Sequence, residues 1–191
     1  MVERRIGADA HELLHADIDR GVARIAIADG SIDIAPLPCT GVTGHEGDLL
    51  VLLAYGWEEF QSVGWYLARF PSFADAVERR PDAVYEMAPW GTRMTAHGDK
   101  VYFAWHSTDE FQYADIEDGA EFLTTPLEGY DDWIMGMDVT DDGKLVIAGL
   151  APTGVLNVFD AETGAFERTV ASDLPTSDIG AIDCTSGGAP E

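Results

Sequence analysis

Along the chain, apolar, aromatic and β-branched residues gather in short runs, and turn residues cut the runs apart. The pattern is clearest towards the C-terminal end. Residues 133–140 run into the turn Asp141-Asp142-Gly143; 144–149 follow, then 155–160, the turn Ala161-Glu162-Thr163-Gly164, and 165–171. Asp-Gly and Thr-Gly pairs supply the backbone that tight hairpins need, so this stretch predicts four antiparallel strands. Residues 22–28 and 31–35 predict a hairpin across Asp29-Gly30, and 179–184 one more strand. Near the start, Leu13, Leu14 and Ile18 fit one face of a short amphipathic helix within residues 1–20.

The runs repeat. Gly47-Asp48, the run 49–54 and Glu58-Glu59-Phe60-Gln61 match Gly98-Asp99, 100–105 and Asp109-Glu110-Phe111-Gln112, each 51 positions apart. Asp115-Ile116-Glu117-Asp118-Gly119 precedes Asp160-Ala161-Glu162-Thr163-Gly164 by 45, as Gly98 precedes Gly143. Self-similarity at such a period marks a supersecondary unit that buries its apolar face on the next copy.

The sequence DVTDDGKLVIAG, followed after a short gap by GVLNVFDAETGAFERTV, resembles a blade of the β-propeller families with YVTN-like or quinoprotein-like repeats. The resemblance covers residues 133–171 and extends to the copy before. It loosens over 42–90, where 71–90 holds three prolines and an insertion, and the Trp-Asp dipeptide of WD repeats is absent. It implies an all-β fold, a small β-propeller of about four blades. The expected division is an N-terminal helical segment at 1–20, a propeller-like domain at 21–184 and a tail at 185–191. Three blades fill 42–171; the fourth is expected to be mixed, with strand 179–184 closing the ring against the N-terminal hairpin and so removing exposed edges. An open arc completed by other subunits, or a two-sheet sandwich, are the alternatives. A blade hairpin also accounts for the calcium-like string at Asp138, Thr140 and Asp142-Gly143, because an EF-hand needs a bidentate Glu where Gly149 stands.

Charge adds the environment. The 191 residues suit one domain, with 46% hydrophobic residues for its core, yet the formal charge is -24. Thirty-five acidic residues face 11 basic ones, of which only Lys100 and Lys144 are lysines, and the acids are spread through the sequence like a solvated surface. Such a surface repels itself at ordinary ionic strength, whereas molar salt shortens the Debye length to about 3 Å. The composition resembles that of extreme-halophile proteins. With no basic stripe, nucleic acid is excluded as a partner. Cys39 and Cys184 form no CxxC pair; two separate thiols are the simpler reading and a disulfide the other. No apolar window is long enough to span a membrane and the start lacks a signal-peptide core, which points to the cytoplasm or, for a viral protein, the virion.

The sharpest chemical motif is His11-Glu12-Leu13-Leu14-His15. On a helix the two histidines share one face and Glu12 is positioned as the base for a zinc-bound water. The third ligand and the glycine of the extended motif are missing from HELLHADIDRG, so a structural helix is the simpler reading. Thr40-Gly41-Val42-Thr43-Gly44-His45 is glycine-rich without the Lys of a phosphate-binding loop, and His45-Glu46 reads as polar turn before a strand. The repeated connections carry aromatics beside carboxylates: Tyr55, Trp57, Glu58 and Glu59 in one copy, Trp105, His106, Asp109 and Glu110 in the next. Flat rings beside acids suit stacking on sugars or capture of a cation or protein partner. Phe60 and Phe111 read as wedges between blades.

These features favour a non-enzymatic binding or assembly module, without a cofactor, of a halophilic organism or its virus. Its expected partner is a protein or glycan, with a homo-oligomer or larger assembly allowed. A structural or receptor-binding virion component is one alternative, and a zinc-dependent hydrolase using His11, His15 and Glu12 is the other.

Overall fold

The computed structural model describes residues 2–5, 12–17, 21–45, 47–54, 65–87, 93–105, 109–116, 122–149 and 154–174. These form four sheets, each of four antiparallel strands in sequence order. The first holds β1 (Val2–Arg5), β2 (Glu12–Asp17), β3 (Gly21–Ala26) and β4 (Ile32–Ala35). The second holds β5 (Cys39–His45), β6 (Asp48–Ala54), β7 (Trp65–Phe70) and β8 (Ala83–Met87). The third holds β9 (Arg93–His97), β10 (Lys100–Ala104), β11 (Glu110–Asp115) and β12 (Leu123–Pro126). The fourth holds β13 (Ile134–Val139), β14 (Lys144–Gly149), β15 (Gly154–Asp160) and β16 (Phe166–Leu174). Among the described residues no helix is long and apolar enough to cross a membrane.

Turn chemistry fixes the hairpins. Between β13 and β14, the Thr140 hydroxyl accepts from the Lys144 backbone N–H at 3.0 Å and donates to Asp142, while Gly143 takes a φ of 77°. Between β15 and β16, one Asp160 carboxylate oxygen accepts from the backbone N–H of Thr163 at 2.9 Å and from its hydroxyl at 2.8 Å. These are the self-bonded turns that Asp and Thr favour.

Packing follows from the two faces of the second strands. In β6, Leu49, Val51 and Leu53 join Leu14, Val22, Ala35 and Val42 between the first and second sheets. Its alternate residues Leu50 and Leu52 join Met94, Val101 and Phe103 between the second and third. In β10, Tyr102 and Ala104 face Leu145, Ile147 and Phe159 of the fourth sheet instead. A strand buried on both faces reads as a continuous apolar run, as DLLVLLA does. β5 runs beside β9, and β9 beside β13. There the Thr95 hydroxyl donates to the buried Asp138 carboxylate.

Three expectations need correction. The helix at 1–20 is replaced over its described parts by β1 and β2, and Leu14 and Ala16 alternate into the core as a strand requires. The N-terminal contribution to the fourth blade is larger than the expected hairpin: among the described residues, 2–35 supply all four strands of the first sheet. The strand expected at 179–184 lies outside the described residues, and among those described no extended packing joins the first sheet to the fourth. The 51-residue offset also fails beyond the second strands. Leu49 pairs with Phe70 and Lys100 with Asp115, so the third strands correspond at an offset of 45. Gln112 therefore corresponds to Leu67, not Gln61. The insertion at 71–90 contains α1 (Phe73–Val77), capped by the Ser72 hydroxyl, which accepts from the Asp75 N–H at 3.2 Å.

Candidate binding rim

Antiparallel order sends alternate connections to opposite edges of the array. The turns β5–β6, β9–β10, β13–β14 and β15–β16 lie at one edge; the starts of β7 and β9, the end of β10 and the β12–β13 connection lie at the other. The second edge gathers the tryptophans. Trp65 opens β7, Trp105 follows β10 and Trp133 precedes β13. The remaining two of the five, Trp57 and Trp90, lie outside the described residues. Every tryptophan among the described residues thus lies at one edge.

Two of them meet across a sheet boundary. Trp65 of the second sheet and Trp105 of the third pack edge to face, with ring centroids 6.3 Å apart and planes at 69°. Both are partly buried. Trp133 is 52% exposed, and its backbone is held at both ends. Its N–H donates to Asp132 at 2.6 Å, and its carbonyl accepts from the Tyr130 hydroxyl at 3.0 Å. Burial, with Asp132 and Asp131 adding to it, pushes the Tyr130 phenol well above its ordinary pKa, so that hydroxyl remains a donor. The Arg93 Nε donates to the Met135 carbonyl at 2.6 Å and ties the third and fourth sheets together beneath the rim. Burial lowers the Arg93 pKa, although a guanidinium stays charged throughout the working range.

Of the residues expected from sequence, Trp105 is on this rim, with Asp109 exposed just before β11 and Glu110 as its first residue. Tyr55, Trp57, Glu58, Glu59 and His106 lie outside the described residues, as does Phe60. Phe111 is fully buried between the third and fourth sheets. His11 lies outside the described residues, whereas Glu12 and His15 fall in β2. The described part of the motif, within Glu12–Asp17, is extended rather than helical. Among the described residues no group of three His, Cys, Asp or Glu is arranged to hold a metal ion. Cys39 is buried, and Cys184 lies outside the described residues. Trp65 and Trp133 went unmarked in the sequence; the available signal was that the tryptophans sit at the boundaries of apolar runs rather than inside them.

No protein-family model matches the sequence, and no curated protein does. Solved structures match the fold. The computationally designed protein Ika8 superposes with a TM-score of 0.55 at 13% identity, over 96% of this chain and 53% of its own. Hsv2 of Kluyvelomyces marxianus, a β-propeller, gives 0.51 at 10% identity, over 86% of this chain and 50% of its own. The designed protein Ika4 gives 0.51 at 14% identity, over 78% and 81%. The fold is all-β and propeller-like. The chain spans about half the length of Ika8 and Hsv2.

Proposed function

We propose that the four sheets are blades of a small propeller and that the chain is a non-enzymatic binding module, recognising a protein or glycan through the tryptophan rim. The observation that supports this most is the placement of all three described tryptophans, Trp65, Trp105 and Trp133, on one edge of the array. Indole faces combine large apolar area with one N–H donor and little conformational entropy to lose, which suits a recognition surface. The pinned backbone of Trp133 and the interlocked Trp65 and Trp105 hold that surface in place before a ligand arrives. The charge of -24 fits a halophilic organism or its virus as the setting.

The test is a screen of the immobilised chain in molar potassium chloride against a panel of neutral glycans and surface proteins of halophilic cells. A ligand whose capture falls at least about tenfold with Trp105→Ala or Trp133→Ala, but not with Thr163→Ala at the opposite edge, is expected. A ligand that binds all three variants as well as the unaltered chain would place recognition elsewhere.

A further inference from the structure

Among the described residues, the array of sheets has one covered end and one open end. At the fourth sheet, the face turned away from the third carries Val146, Ala148 and Val158, which are 9%, 0% and 2% exposed. At the first sheet the situation is reversed. Register puts Val22 with Ala35 and Arg24 with Asp33 on one face, where Val22 and Ala35 are buried against the second sheet. Ala23 with Ile34 and Ile25 with Ile32 share the other face. Ile32 is 60% exposed and Ile34 50%. The corresponding face of each later sheet is buried by the sheet before it, through Val51, Phe103 and Ile147 respectively. Over β3 and β4 the first sheet therefore carries an apolar stacking face with nothing described upon it.

We infer that this face, centred on Ile25, Ile32 and Ile34, docks against the same face of a second copy in a two-fold pair. Three observations select that occupant. The interface continues the sheet-on-sheet stacking that already holds the array together. Among the described residues the far face is already buried and the first sheet's is exposed, and pairing like with like about a two-fold axis closes the assembly at two copies. The charge fits too. Two copies each carrying -24 meet best where acids are few, and on this face β3 and β4 contribute only Ala23, Ile25, Ile32 and Ile34, while register leaves the acids Glu3 and Asp17 to β1 and β2. Asp33, between the two isoleucines of β4, is on the opposite face and paired with Arg24 at 2.8 Å.

Light scattering coupled to size exclusion tests this on the full chain in molar potassium chloride, from low micromolar concentration upward. The expected mass is twice the 20.7 kDa of one chain. Replacing both isoleucines, Ile32→Thr with Ile34→Thr, keeps the β-branched shape and removes apolar area. It should raise the dimer dissociation constant about a hundredfold or more. Asp33→Asn, on the other face, should leave the mass unchanged. Far-UV circular dichroism of the double variant should match that of the unaltered chain. If threonine disturbs the sheet, Ile34→Cys supplies a second readout, because a two-fold contact brings it near its symmetry mate and mild oxidation should cross-link the pair. A monomer at every concentration, a polymer beyond two copies, or a double-threonine variant that dimerises undiminished would overturn the inference.

Discussion

Replacing Gln112 by leucine should make the protein more stable. Gln112 is 7% exposed, and its side-chain carbonyl is the one buried side-chain oxygen or nitrogen among the described residues without a hydrogen-bond partner. It pairs in register with Phe103, so it shares with Met94 the face of the third sheet that packs on Leu52 and Leu67 of the second. Its counterpart in the second sheet is Leu67, 1% exposed, so the repeat already accepts leucine in this environment. A buried carbonyl left unpaired costs about 1–3 kcal/mol. Leucine removes that cost at nearly the same volume, against an imperfect fit of roughly 1 kcal/mol. The net expectation is a gain of about 1–2 kcal/mol, which for a domain of this size moves the melting temperature up by about 2–8 °C. Denaturant titration in molar potassium chloride, followed by tryptophan fluorescence, measures it. Gln112→Ala serves as control, since it removes the amide but leaves a cavity beside Phe103 and should not stabilise. A leucine variant less stable than the unaltered protein, with the near-ultraviolet signal of the Trp65–Trp105 pair unchanged, would refute the reasoning and mean that the amide is satisfied in solution.

Phe159, 1% exposed and packed edge-on against Tyr130 and Phe166, should cost about 3–5 kcal/mol as Phe159→Ala in the same titration. Gly164→Ala should destabilise by about 2 kcal/mol or more, because φ is +69° and a Cβ would lie 2.0 Å from the Pro126 carbonyl oxygen. The Thr163 hydroxyl and N–H hold the Asp160 carboxyl below its ordinary pKa. That contribution is fully present above the unfolded value of about 3.9 and is lost as pH falls through the lower folded value, so Asp160→Asn should flatten the acid limb of a stability–pH curve. With a charge of -24, the unfolding midpoint should fall steadily as potassium chloride drops from molar to millimolar levels, and equal midpoints would count against a halophilic setting.

The hairpins of residues 133–171 are legible in the sequence because their signals are local: an Asp, a Thr and a Gly fix each turn. The first sheet is not. β2 reads ELLHAD, rich in helix formers and without a β-branched residue, so propensity points to a helix. Packing decides otherwise, since Leu14 and Ala16 gain burial against Val22, Ala35 and Val42 only as a strand. The shared Glu-Phe-Gln triplet misleads for a different reason. The connection between β6 and β7 is longer than that between β10 and β11, so identical letters fall at different structural positions. For the rim, Trp105, Asp109 and Glu110 are visible through the repeat, whereas Trp65 and Trp133 emerge only once antiparallel order shows which connections share an edge.

The stacked array rests most heavily on its first sheet, whose strands come entirely from residues 2–35. Amide hydrogen exchange in molar potassium chloride tests this directly. If the sheet is as described, the hydrogen-bonded amides of β2 and β3 should exchange nearly as slowly as those of β14, opening only with the whole array. Amides over residues 12–17 that exchange at unprotected rates while β14 stays protected, or carbon chemical shifts of a helix there, would contradict it.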